Sequence, residues 1–237
     1  MWDGARGRRH GRVDNRIRRM TAQSHLGLLA AATVLVTVAW SQTTGGVPSP
    51  ETAATDTDRW ALAVAAYGYL VPNDQSYFSP TFSADHRWLH LEARYNYENQ
   101  QTGSLWAGYN LSVGDKLVFE ATPMLGGVFG NTTGIAPGYE MSLTYKRIEL
   151  SSQGEYVFDT RDSAGSFFYC WNELVYAPTD WFHAGLVAQR TRAYSTPLDV
   201  QRGFSVGVAY RRMDFTTYIL NAGWTDPTVV LSLGFKF

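Results

Sequence analysis

At 237 residues the chain is long enough for one β-barrel or one ordinary domain, and its single cysteine, Cys170, excludes an internal disulfide. Charged residues make up 17% and aromatics 14%, against a charged share of about 25% in typical soluble domains. The formal charge of −1 divides into +5 over residues 1–41 (seven Arg, two Asp) and −6 over the rest, so the body of the chain offers nucleic acid no basic footprint.

Residues 1–41 read as a signal peptide. Seven arginines between positions 6 and 19 precede LGLLAAATVLVTVAW, an apolar run from Leu26 to Trp40. Fifteen residues is short for a spanning helix and suits a signal-peptide core. Ala39-Trp40-Ser41 supplies small residues where a signal peptidase reads, so cleavage is expected after Ser41. Translation from Met20 is the alternative start, and an uncleaved membrane anchor the competing reading. Residues 42–58 carry almost no large apolar side chain and read as a flexible periplasmic linker.

From Arg59 onward the hydropathy alternates with period two, the signature of strands whose side chains point to opposite faces. About twelve strands are expected: 59–70, 75–82, 86–98, 103–113, 116–124, 138–145, 148–159, 166–176, 181–193, 203–211, 215–224 and 228–237. The clearest puts Leu89, Leu91, Ala93, Tyr95 and Tyr97 on one face and Trp88, His90, Glu92, Arg94, Asn96 and Glu98 on the other. If every strand reverses direction, tight connections at Ser83–Asp85, Gly114–Asp115, Lys146–Arg147, Ala177–Asp180 and Met213–Asp214 fall at one end. The others, 71–74, 99–102, 125–137, 160–165, 194–202 and 225–227, fall at the opposite end and include every long one.

The last stretch, VVLSLGFKF from Val229 to Phe237, alternates strictly and ends in Phe235 and a terminal Phe237. Such an ending resembles the closing strand of Gram-negative outer-membrane β-barrels. The resemblance implies that Phe235 and Phe237 act as an assembly signal for the barrel-assembly machinery. It also implies short periplasmic turns, longer extracellular loops and a bacterial outer-membrane location. Residues 59–237 are therefore expected to form a transmembrane antiparallel up-and-down β-barrel.

The two faces argue for lipid as the cover. One carries Leu, Val, Phe and Tyr, and no helices or spare strands remain to bury it. The opposite face is polar and should line an enclosed space. His90, Glu92, Arg94, Trp106, Glu120, Glu140, Gln153, Glu155, Trp171, Glu173, Arg211 and Lys236 are the expected pore-lining residues, with Glu92, Arg94, Glu120, Gln153, Trp171 and Glu173 near mid-height. Aromatics near strand ends, Tyr95, Tyr97, Tyr156 and Phe158 at one rim and Tyr145, Tyr210, Phe235 and Phe237 at the other, suit interfacial belts.

No cofactor or metal motif stands out: there is no HExxH, no paired-Cys spacing and no phosphate loop opening a helix. GGVFGNTTG at 126–134 reads as a folded outer loop. A twelve-stranded outer-membrane phospholipase shares the architecture and uses Ser, His and Asn, yet no diagnostic Ser–His pair appears here. His90 and Glu92 share a face, and their meeting is read as a lumen hydrogen bond. The chain is thus expected not to be an enzyme. A narrow passive channel for small polar solutes or ions is the first reading, and a closed barrel acting through its outer loops the second. A membrane-embedded lipid hydrolase is the third. Expected partners are outer-membrane lipid and a small polar solute or ion, with no nucleic acid.

Overall fold

The structure, a computed structural model, describes residues 59–72, 75–193, 199–223 and 227–237. The signal peptide expected over 1–41 and the linker over 42–58 lie outside the described residues, as does 194–198 of the expected 194–202 loop. The wall is built from β1 (Ala61–Leu70), β2 (Tyr77–His86), β3 (Leu89–Tyr95), β4 (Thr102–Tyr109), β5 (Leu111–Val113), β6 (Leu117–Gly130) and β7 (Gly134–Tyr145). It continues through β8 (Ile148–Asp159), β9 (Phe167–Tyr176), β10 (Phe182–Ala193), β11 (Asp199–Tyr210), β12 (Met213–Leu220) and β13 (Thr228–Lys236). A short 3-10 turn, Ser163–Gly165, lies between β8 and β9.

Each strand pairs antiparallel with its sequence neighbour, and β13 pairs with β1 from Leu70↔Val229 to Ala63↔Lys236. A direct β4–β6 ladder completes the ring. The segment β5 continues β4 beyond Asn110, where the wall strand breaks so that the Asn110 amide nitrogen can donate to the Trp88 carbonyl at 2.7 Å. The result is a closed antiparallel barrel of twelve strands plus the short β5 continuation. Closure pairs both edges of every wall strand except the short β5, which pairs with β6 alone.

Both ends of the wall, Ala61 and Lys236, lie at one mouth, here termed the turn end. Three of its connections are two-residue turns, Arg87–Trp88, Lys146–Arg147 and Arg211–Arg212, each opened by a cationic residue with φ near +55°. Two of these correct the expected turns. Ser83–Asp85 lies within β2, and Met213–Asp214 opens β12. The opposite mouth, the loop end, carries connections at 96–101, 131–133 and 160–166 among others. The expected 125–137 loop shrinks to 131–133, because β6 runs through Gly126-Gly127 to Gly130 and β7 begins at Gly134.

Gly126 of that stretch, and Gly138 just beyond it, have a packing reason. A Cβ on Gly126 would stand 2.5 Å from Trp106 Cδ2, and one on Gly138 would stand 2.9 Å from Trp106 Cζ3. The indole lies flat against the inner wall where both strands lack side chains. Pro137 sits where the β7–β8 ladder skips from Ile135↔Phe158 to Gly138↔Glu155, so its missing N–H leaves no gap in the pairing.

The outward face is apolar and exposed. An aliphatic band including Leu91, Leu105, Leu125, Leu143, Leu150, Leu174 and Leu186 circles the wall; Leu186 is 63% exposed. Exposed aromatics flank the band. Trp60, Trp88, Tyr145, Tyr176, Trp181, Tyr210 and Phe237 lie toward the turn end, and Phe78, Tyr95, Phe129 and Phe158 toward the loop end. The band has one polar seam at mid-height. Ser152 Oγ donates to Asn172 Oδ1 at 2.9 Å, Asn172 Nδ2 reaches Cys170 Sγ at 3.3 Å, and the Tyr139 hydroxyl lies 3.2 Å from Ser152 Oγ. These groups satisfy one another, which lowers the cost of facing an apolar surrounding.

The core is inside the barrel. Two buried apolar clusters fill opposite parts of the lumen: Trp106, Met124, Val128, Ala136 and Val157, and Trp171, Val187, Tyr218, Leu220 and Val230.

Candidate functional site

The site is the interior between these clusters. Alternation brings His90, Glu92 and Arg94 of β3 inward at every second residue, and the same rule turns Asp85 of β2, Glu140 of β7 and Glu155 of β8 toward them. Arg94 is the hub. Its Nη1 donates to Glu155 Oε2 at 2.8 Å and its Nη2 to Glu92 Oε2 at 2.7 Å, with Glu140 Oε1 at 3.7 Å. The guanidinium carbon also sits 4.4 Å from the Tyr97 ring centroid and 4.6 Å from that of Trp106. Two carboxylates and two aromatic faces therefore hold one buried cation, which compensates its desolvation.

A polar relay runs from this hub toward the turn end. His90 Nδ1 lies 2.8 Å from Asp85 Oδ1, and His90 Nε2 lies 3.7 Å from Glu92 Oε2. Asn110 Nδ2 donates to the same Asp85 oxygen at 2.8 Å, and Thr122 Oγ1 donates to Asn110 Oδ1 at 2.7 Å. Above the hub, Gln153 Nε2 donates to the Tyr97 hydroxyl at 2.7 Å and Tyr97 meets Tyr169 edge-on at 5.6 Å between centroids. Trp171 Nε1 donates to Glu173 Oε1 at 2.6 Å, and its ring meets Tyr218 at 5.2 Å.

This layer lies between two cavities of the described interior. The turn-side cavity, about 660 Å³, is lined by Asp85, Glu92, Glu120, Glu140, Glu149 and Glu173 against Arg87, Arg94, Lys236 and His90. The loop-side cavity, about 570 Å³, is lined by Tyr69, Tyr77, Tyr97, Tyr169 and Glu98 among others. Tyr97 lines both.

Of the residues expected to line a pore, His90, Glu92, Arg94, Glu120, Glu140, Gln153, Trp171, Glu173 and Lys236 border the turn-side cavity, while Trp106 and Glu155 are packed in the dividing layer. Arg211 is the departure. It opens a turn, exposed, with its guanidinium carbon 5.3 Å from the Tyr210 ring centroid. Trp88 likewise lies in a turn, stacked on Tyr109 at 5.5 Å. Glu120, expected near mid-height, lies on the turn-end part of β6, where Ser142 Oγ reaches it at 3.4 Å. Tyr97, expected at the outward rim, turns into the lumen because β3 ends at Tyr95 and Asn96 adopts φ +55°.

The sequence reading passed over Asp85, Tyr67, Tyr69 and Tyr218. Tyr67 and Tyr69 follow an Ala-rich segment that alternates poorly, and Asp85 hides in what reads as a turn. No family model matches the chain, and no curated protein matches its sequence. Its activity must therefore be read from the geometry.

Among the described residues, no group of three His, Cys, Asp or Glu side chains is placed to hold a metal ion. The second histidine cluster is a closed hydrogen-bond chain. His183 Nε2 lies 3.0 Å from Thr216 Oγ1, and that hydroxyl donates to Asp214 Oδ1 at 2.7 Å. Thr216 is 3% exposed.

Proposed function

We propose that this chain is a bacterial outer-membrane β-barrel whose interior is a narrow conduit for small cations or neutral polar solutes, held shut in this conformation by the Arg94 layer. One observation carries the reading. Cavities of mixed charged, polar and apolar lining lie toward both mouths and reach the same side chain, Tyr97. What separates them is a single layer of side chains, with no inserted segment of backbone among the described residues. Twelve strands lie between barrels small enough to be filled by side chains and those wide enough for an open channel. Six carboxylates in the turn-side cavity favour cations over anions.

The membrane setting is supported by the exposed aliphatic band flanked by aromatics at both ends, an outside suited to hydrocarbon between two interfaces. In this reading the turn end faces the periplasm, and Phe235 and Phe237 are the residues recognised by the barrel-assembly machinery. Leu186→Arg tests the setting. A cation at mid-band should destabilise the barrel in lipid vesicles by about 2–4 kcal/mol. The check is the urea midpoint of tryptophan fluorescence, and an unshifted midpoint contradicts a lipid-facing Leu186.

Conduction is tested in planar bilayers. The wild type should pass brief, small current steps, and Tyr97→Ala should raise both their size and their frequency. Glu120→Gln with Glu149→Gln should reduce preference for K⁺ over Cl⁻ in the reversal potential. Currents absent from both the wild type and a folded Tyr97→Ala barrel would discard the conduit. They would favour the second reading, a closed barrel acting through its outer loops, which the two packed lumen clusters support.

A further inference from the structure

We infer that the loop-side cavity is a binding site for a small organic cation, a primary amine or quaternary ammonium, held against tyrosine faces and the Glu98 carboxylate. The cavity, about 570 Å³, has the size of ordinary small-ligand pockets. Five aromatic rings line it: Tyr69, Tyr77, Tyr97, Phe167 and Tyr169. Tyr69 and Tyr77 stack on each other at 4.5 Å between centroids and Arg94 covers one face of Tyr97, so a cation would be drawn to the ring faces that these contacts leave open. Among the described residues the charged lining is Glu98, Asp159 and Asp162 against Arg161, an excess of negative charge in the same cavity as those rings.

The three carboxylates are not equivalent. Asp159 Oδ1 accepts from the backbone nitrogens of Arg161 at 2.8 Å and Asp162 at 3.2 Å, and Asp162 Oδ1 accepts from Ala164 N at 3.0 Å. Both are engaged in shaping the 160–166 loop. Arg161 is likewise engaged, its Nη1 donating to the Gly130 carbonyl at 3.1 Å. Glu98 is different. It is 8% exposed, and its Oε1 accepts from Ser104 Oγ and Trp106 Nε1, which fix the carboxylate in place. Its Oε2 is buried without a hydrogen-bond partner. An unpaired buried carboxylate oxygen is costly, and a donor brought by a ligand relieves that cost. A neutral sugar would also meet the tyrosines and the amides of Asn99 and Asn131, but it brings Glu98 no charge; a quaternary ammonium brings charge alone, and a primary ammonium brings both charge and the donor that Oε2 lacks.

The site needs the folded barrel and not conduction, so it is tested by binding. Choline and cadaverine are titrated calorimetrically into the folded full-length protein in detergent, with glucose as the neutral comparison. Saturable binding of at least one amine is expected, with glucose at least tenfold weaker. Glu98→Gln should weaken amine binding at least tenfold, and Asp180→Asn, at the opposite mouth, should leave it unchanged. Thr191→Lys places a tethered ammonium in the same cavity and should abolish binding in a barrel of native gel mobility. This variant decides the matter if Glu98→Gln fails to fold. No amine binding, glucose binding as tight as choline, or full binding by Thr191→Lys would each overturn the inference. A barrel that binds amines and passes no current would sink the conduit and leave this site standing.

Discussion

Arg94→Ala is expected to lower the unfolding free energy of the barrel by about 3–5 kcal/mol, the usual penalty for removing one partner of a buried ion pair. The guanidinium is the near neighbour of two carboxylates, Glu92 at 2.7 Å and Glu155 at 2.8 Å, and both are more than nine-tenths buried. Alanine leaves those charges facing each other across a hole, with the Tyr97 and Trp106 rings losing the cation between them. The effect should be larger than that of Arg94→Lys, whose single ammonium cannot serve both carboxylates with the planar fork of arginine. The informative comparison is the triple variant Arg94→Met, Glu92→Gln, Glu155→Gln. Buried ion clusters can often be exchanged for neutral groups of similar volume at little cost, so it should recover most of the lost stability. The readout is the urea midpoint in lipid vesicles. An Arg94→Ala barrel within about 1 kcal/mol of wild type, a shift typical of exposed pairs, would mean that water reaches the hub and screens it.

The same hub shows why the wall was legible in the sequence and the site less so. Alternation is local: each strand carries its own period-two record, and β8 falls at Ile148–Asp159, where the pattern places it. The Arg94–Glu155 pair joins residues 61 apart, and nothing within either strand selects that partner among the other inward carboxylates. A barrel with a polar inside also confuses the usual turn signals. Ser83 and Asp85 look like a turn because polar residues cluster there, yet they are inward positions of β2 paired with Glu92 and His90. The wall continues to His86, and the reversal falls on Arg87–Trp88, which lack glycine or proline to announce it. Tyr97 was read as one more outward step of β3; the left-handed Asn96 ends the alternation and swings it over the lumen. The outward seam of Tyr139, Ser152, Cys170 and Asn172 is a further departure, polar side chains within a face the pattern marks as greasy.

Gly126→Val should be strongly damaging to the wall, and Trp106 should be the reason. A Cβ there meets Cδ2, Cε2 and Cε3 of the indole at 2.5–2.7 Å, distances that real contacts do not tolerate. The indole has little room to retreat. Its Nε1 is tied to Ser104 Oγ at 2.9 Å and to Glu98 Oε1 at 3.3 Å, and Arg94 rests on its face. Overpacking of this kind typically costs about 1–3 kcal/mol, and the two extra methyl groups of valine put Gly126→Val at the upper end or beyond. Gly127→Val is the matched control. Its Cβ points outward with nothing within 4 Å, so β-branching should leave stability within about 0.5 kcal/mol of wild type. The decisive measurement is a double-mutant cycle in which Trp106→Ala vacates the space beside Gly126. If steric conflict with the indole is the cause, Gly126→Val should cost markedly less in the Trp106→Ala background, with a coupling of roughly 1–3 kcal/mol. Strict additivity would locate the damage in the strand itself rather than in a clash between Gly126 and the indole.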